Sequence, residues 1–453
     1  PERAQLEPEL LAYHYEQAGL IGQAVDYWRL AARRDAARSA NVEALNHFNN
    51  ALTLLKDLPA CTERDALELD LLIARGAPMV TVKGYASQEN ERNYLRAREL
   101  SREHSESDHH FLAVWGLWVF HLVRGPLAKA CVLAEDLLSL ATRRHNPDLL
   151  IRAHESVGST YSFLGRFDEA KTHLLAAKAL YDPERHRSQV LPYTQDPGIS
   201  ARIVLARILW IFGEFDEVNA LLQEAIDMAR ALGHPFTLAF TLTTVAWTYS
   251  TLRDTENTLT FTEEAIALST KYSFEVPLAW GTSLQGWALA ERGEEEGLLR
   301  LVKGLSATRA AGASLNNTYT LALLAGLYLR KKQIEGGLTA IKEAQELAMT
   351  QGERCWQAEL FRLNGELLLA QSEQSVAAAE QCFAEAMKIA QEQHARMLEL
   401  RAATSLARLL RKLNRSDTAR SLLGLTLSQF CAQDANTDRI EAQTLLDQLG
   451  VAS

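Results

Sequence analysis

Four of the eight tryptophans, Trp118, Trp210, Trp247 and Trp287, recur at intervals that suit a helical repeat. Residues of this kind do recognition chemistry, because an indole joins a large apolar area to one N–H donor. By the same spacing Arg152, Glu155, Arg207 and Arg362 fall on the same set of helices and would add charged contacts to that surface. The competing reading is core filler, the commoner fate of tryptophan at helical spacing. A second cluster lies in YDPERHRSQVLPYTQDPG (181–198), where Arg185, His186 and Arg187 form a basic group in an acidic protein. With Tyr193 and Asp196 these cations would hold an anionic ligand or partner. The simpler reading is a structural insert, in which Asp182-Pro183 opens a short helix to about Gln189 and Asp196-Pro197 opens the next one. REHSESDHH (102–110) gathers His104, Asp108, His109 and His110, donor types that zinc accepts when they converge at about 2.0–2.1 Å. A solvated interhelix loop accounts for the same residues, and no metal site is assigned.

Motifs with a fixed chemical mechanism are missing from the sequence. There is no G-x-x-x-x-G-K-[ST] phosphate loop, no G-x-G-x-x-G behind a strand, no H-E-x-x-H and no G-x-S-x-G elbow. The expectation is a non-enzymatic chain with no catalytic residue and no cofactor. The five cysteines (Cys61, Cys131, Cys355, Cys382 and Cys431) are dispersed without a C-x-x-C pair, as reduced thiols are. A formal net charge of −10, from 47 basic and 57 acidic residues, argues against nucleic acid or an anionic membrane as the main partner. The most apolar run, FLAVWGLWVFHLV (111–123), falls short of the about 20 residues that span a bilayer. PERAQLEPEL, at the start, lacks the apolar core of a signal peptide. These features predict a soluble, cytoplasmic protein. A start at Pro1, directly in helical sequence, predicts a piece of a longer one.

The elements that would position these residues come from a repeat. In STYSFLGRFDEAKTHLLAAKAL (159–180) and the residue before it, Gly158, Ala170 and Ala177 let two helices approach, Tyr161 and Leu174 fill the gap, and Gly165 makes the turn. This order of small and bulky residues resembles the tetratricopeptide repeat. A small-x3-bulky-x2-small pattern recurs in second helices, with last members at 51, 97, 137, 177, 225, 265, 304, 344, 386 and 426. The spacing is about 40 residues, longer than a standard tetratricopeptide and inside the HEAT/armadillo range. Residue pattern decides for a tetratricopeptide-like array, with HEAT-like as the alternative. The prediction is an all-α solenoid, a right-handed superhelix of about ten helical hairpins over 21–431 with an insert at 182–198. One helix (8–18) precedes it and a capping helix (437–449) follows, all in one continuous domain, 1–453.

Longer stretches carry a more specific resemblance. PELLAYHYEQAGLIGQAVDYWRLAA (8–32), RSANVEALNHFNNALTLLKDLP (38–59), GYASQENERNYLRAREL (84–100) and WGLWVFHLVRG (115–125) are among them, as are YDPERHRSQVLPYTQDPG, GHPFTLAFTL (233–242) and AELFRLNGELLLA (358–370). In this order they resemble the C-terminal tetratricopeptide region of large bacterial class III adenylate/guanylate cyclase-type proteins. There a cyclase domain precedes an AAA-like, STAND-type ATPase and then the helical array, and related chains carry a kinase or another output domain. The resemblance implies a sensory array that binds a protein or peptide in its concave groove and controls ATPase and cyclase domains in cis. It carries over no catalytic residue, because the cyclase aspartates and the ATPase phosphate loop would lie before Pro1. Two alternatives stay open: a metabolite or nucleotide sensor binding near Trp210, Trp247 and Arg207, and the effector domain of a transcriptional regulator.

Overall fold

The computed structural model describes residues 7–186, 193–431 and 436–451. Among them every regular element is a helix. Helix α1 (Pro8–Gln17) leads into ten hairpins, each a first and a second helix. Hairpins one to three are α2 (Ile21–Ala37) with α3 (Asn41–Leu54), α4 (Thr62–Lys83) with α5 (Gln88–Leu100), and α6 (Asp108–Arg124) with α7 (Leu127–Arg143). Hairpin four is α8 (Pro147–Phe163) with α9 (Phe167–Leu180), followed by the short α10 (Pro183–His186). Hairpins five to seven are α11 (Pro197–Phe212) with α12 (Val218–Leu232), α13 (Pro235–Thr251) with α14 (Thr255–Tyr272), and α15 (Glu275–Glu291) with α16 (Glu296–Ala310). Hairpins eight to ten are α17 (Asn317–Arg330) with α18 (Ile334–Gln351), α19 (Gln357–Gln371) with α20 (Val376–Glu392), and α21 (Arg396–Lys412) with α22 (Ser416–Leu427). Helix α23 (Thr437–Val451) follows.

Local sequence explains the helix starts. Asn146 Oδ1 accepts the amides of Asp148 and Leu149 at 3.0 and 3.4 Å, and Asp196 Oδ1 those of Gly198 and Ile199 at 2.8 and 3.1 Å. Proline follows each cap, at a position whose amide has no intrahelical acceptor. Val276-Pro277 lacks a capping side chain, and α15 begins two residues before the proline, at Glu275. Small residues set the helix spacing. A Cβ on Gly158 would sit 2.6 Å from Leu174 Cγ, and one on Gly297 only 2.3 Å from the Ala290 amide nitrogen. In the insert, α10 is described over Pro183–His186, at the expected start. The rest of that expected helix lies outside the described residues.

The winding is tighter than the repeat alone predicts. The Val123 carbonyl, in the last turn of α6, accepts the amides of Ser314 and Leu315 at 2.9 and 3.0 Å. The Phe163 carbonyl of α8 accepts those of Arg354 and Cys355 at 2.9 and 3.2 Å. Hairpin three thus meets hairpin eight, and hairpin four meets hairpin nine. Last-turn carbonyls have no partner within their own helix, so each contact satisfies a group that would otherwise need water. Aromatic side chains fill the interior between these turns. Trp247 stacks on Phe163 with ring centroids 6.0 Å apart and packs against Tyr319, which lies 4.6 Å from Trp356. One buried hydrophobic cluster accordingly runs from Val80 to Leu398.

Candidate functional site

Two of the cavities formed by the described residues bear candidate side chains, and both are walled mainly by first helices. The first, of about 80 Å³, is lined by Trp118, Glu155, Arg207 and Trp247 together with Phe163, Phe240, Trp280 and Asn316. Arg207 projects from the apolar helix α11, its guanidinium 4.1 Å from the Trp247 ring centroid and 5.3 Å from that of Phe163. A cation over an indole face is attracted by the ring quadrupole. Burial lowers its pKa to about 10, with Cys355 and Glu353 opposing. Glu155 faces the same space and accepts the Ser159 hydroxyl at 2.9 Å. Burial raises its carboxyl to about 7, against the opposing pull of Ser159 and Arg152. The Trp118 indole N–H is committed to Thr160 Oγ1 at 2.9 Å.

The end of the insert forms one wall of this cavity. Arg152 lies 3.5 Å over the Tyr193 ring and donates twice to the Gln195 carbonyl at 3.3 Å. Tyr193 in turn meets Trp115 edge-on at 5.0 Å. Asp196 caps α11 with one oxygen and accepts the Tyr181 hydroxyl with the other, at 2.7 Å. Arg152 and Tyr193 are both buried, and they hold the wall instead of facing solvent. His186 is buried, 3.1 Å from Asp148, while the exposed Arg185 pairs with that same carboxylate at 2.9 Å. Arg187 lies outside the described residues.

The second cavity, of about 340 Å³, includes Trp287 and Arg362 in its lining. Its chemistry is that of a paired network. Arg401 donates to Asp438 Oδ2 through Nε and Nη2 at 2.9 and 2.8 Å, and to the Thr251 carbonyl at 2.8 Å. Arg253 joins Asp438 at 3.1 Å and Glu441 at 2.8 Å. Arg362 grips both oxygens of Glu359, at 2.8 and 2.6 Å. Burial alone would raise the Asp438 and Glu359 carboxyls, but the arginines overrule it and hold both below the usual carboxylate range. Trp210 belongs to this arrangement too, with the Arg401 guanidinium 4.9 Å from its ring.

All four candidate tryptophans are therefore buried in the interior of the wound array; Trp118 and Trp247 line the first cavity, Trp287 lines the second, and Trp210 lines neither. Sequence reasoning missed Trp280, Phe240 and Asn316 in the first and Arg253, Arg401 and Asp438 in the second. One signal points to one of them: Trp280 precedes Trp287 by two helical turns on α15. The histidine cluster does not converge: Asp108 pairs with Arg144 at 2.7 Å and His110 contacts Ser101 Oγ at 2.9 Å. Among the described residues no group of three or more His, Cys, Asp or Glu side chains could hold a metal ion.

No protein-family model matches the chain. An uncharacterized protein of Rhizobium meliloti (strain 1021) is 27% identical over 419 residues, which cover 90% of this chain. The chain spans 40% of that relative's length. Among solved structures, the Cut9–Hcn1 hetero-tetramer of the APC/C is similar over 99% of this chain and 84% of that one, with a TM-score of 0.53 at 12% identity. The fold is a tetratricopeptide-like α-solenoid. The Rap conjugation gene regulator of plasmid pLS20, in complex with the Phr* peptide, has a TM-score of 0.48 at 14% identity over 84% of this chain and 97% of that one. No described helix is long and apolar enough to cross a membrane.

Proposed function

We propose that this solenoid is a non-catalytic regulatory module that docks a protein partner and relays the contact to signalling domains in the same polypeptide. The observation that carries the proposal is where free apolar surface lies. Val132, Leu175, Leu299, Met349 and Leu425 all stand exposed on second helices, with Met349 at 82%. The first helices are committed to the filled interior, so a partner meets the outer face and not the concave groove. Tetratricopeptide-like architecture itself supports a protein-interaction role. The output is an AAA/STAND-type ATPase with a class III cyclase, supported by the sequence resemblance alone; a relative of which this chain spans 40% supports a longer polypeptide.

The test uses outward charge substitutions. Leu299→Asp and Met349→Asp should leave the melting temperature of residues 1–453 unchanged, because neither side chain is buried. In the full-length polypeptide the same changes should alter nucleotide turnover. Turnover identical to the parent overturns the proposal, and so does ATP or GTP turnover by residues 1–453 alone that an interior point mutation abolishes.

A further inference from the structure

Arg207 is anomalous among the buried arginines. It is 4% exposed, yet among the described residues it forms no ion pair and no hydrogen bond. The others are answered: Arg152 by the Gln195 carbonyl, Arg202 by Glu224 and the Gly198 carbonyl, Arg362 by Glu359, and Arg401 by Asp438. A buried charge without a partner is among the costliest groups a fold can hold. Glu353 acts on Arg207 electrostatically without pairing to it, and burial raises that carboxyl to about 7. At neutral pH it therefore neutralises the guanidinium only in part.

The same cavity collects further polar atoms in that condition. The indole nitrogens of Trp247 and Trp280 and the Oδ1 atom of Asn316 have no hydrogen-bond partner among the described residues. Both tryptophans are more than nine-tenths buried, at 5% and 6% exposure. Asn316 is held in the left-handed region at φ 69°, directly beside the Leu315 amide that bonds to Val123. The Arg207 guanidinium is donor-only and lines the cavity, so it suits an acceptor that carries negative charge. The remaining wall is apolar, with Trp118, Ile199 and Phe240.

Size and charge narrow the class. A volume of about 80 Å³ is roughly half that of the 150 Å³ cavity that takes up benzene, which leaves room for a body of a few carbons and none for a nucleotide. A planar guanidinium pairs with a carboxylate through two parallel hydrogen bonds. A second negative charge on the ligand would meet Glu155. We propose that this cavity binds a small organic monoanion, its carboxylate held by Arg207, its short branched or linear carbon body lying among Trp118, Ile199 and Phe240. The site goes beyond partner docking and does not rest on it, since the ligand is interior and the partner exterior.

The experiment uses residues 1–453 with propionate and isobutyrate as probes, and isobutyramide, benzoate and a short peptide ending in valine as controls. The readouts are the indole N–H resonances of Trp247 and Trp280 and the melting temperature. Propionate or isobutyrate should shift both resonances saturably and raise the melting temperature, while isobutyramide, benzoate and the peptide should not. Arg207→Gln should weaken binding about tenfold or more. Because its charge is unpaired, that variant should melt at or above the parental temperature. No saturable response at tens of millimolar overturns the proposal. So does an equal response to isobutyramide, binding by the peptide in place of the free acids, or unimpaired binding by Arg207→Gln. A large fall in the melting temperature of Arg207→Gln would make the arginine structural and overturn it as well.

Discussion

In the cavity beside Trp247 one arginine lies among aromatic rings with no carboxylate bonded to it. In the cavity beside Trp287 five arginines (Arg253, Arg330, Arg362, Arg401 and Arg408) share the lining with five carboxylates (Glu291, Glu359, Glu366, Asp438 and Glu441). Both are walled by first helices of the same repeat, so the repeat does not set their chemistry. What differs is whether the chain itself supplies the counter-charge. Helix α23 delivers Asp438 and Glu441 into bonds with the arginines of the second cavity, whereas Glu155 and Asp196 line the first without bonding Arg207. A completed ion network closes a structure, while an incomplete one leaves a binding opportunity.

The sharpest way to break the contrast is Asp438→Asn. It strands the charge of Arg401 in the second cavity, leaving Arg253 to Glu441, and should cost about 3–5 kcal/mol in urea denaturation. A loss below about 1 kcal/mol would mean that the network is not what holds α23. Next comes Glu155→Gln in the first cavity. The folded state keeps the Glu155 proton up to about pH 7, whereas the ordinary value is 4.5, so stability falls as pH rises between the two. The variant should therefore gain about 3 kcal/mol at pH 8 and nothing at pH 4, read from melting curves across that range.

The second cavity should respond to pH with the opposite sign. Asp438 and Glu359 have depressed folded values, so their contribution is full above the ordinary carboxylate range and is lost as pH falls through those lower values. Acid titration of the parent against Asp438→Asn should show the parent losing its advantage at low pH; parallel curves would refute the assignment. The smallest effects belong to the rim. Arg330 and Arg408 are about half-exposed, and replacing either by Ala should cost about 0–1 kcal/mol. Raising salt to about 1 M should erase that cost and leave the Asp438 effect largely in place.

What could be read from sequence was what neighbouring hairpins do to each other. Gly158 opposite Leu174 is visible as a small–bulky alternation, and Asn146-Pro147 and Asp196-Pro197 are visible as capped helix starts, because each involves residues close along the chain. The filling of the interior was not visible. Ser314 and Val123 are 191 residues apart, and a repeat pattern says how one hairpin meets the next, not how many complete a turn. For the same reason the tryptophans could be placed on first helices but not assigned to one cavity or the other. Arg401 meets a carboxylate from α23, 37 residues further on, and no spacing in the sequence says that Arg207 lacks one.

The bonds from Val123 to Ser314 and from Phe163 to Arg354 make the array resemble a screw thread whose ridges are glued to the next pitch. Solenoids in which each repeat touches only its neighbours tolerate the gain or loss of a unit. Here the removal of one whole hairpin between the third and the eighth would throw every such bond out of register at once. Shortening this protein by a single repeat should therefore be far more damaging than the repeat's own contacts suggest. Its two ends should turn together, as the ends of one rigid shaft do.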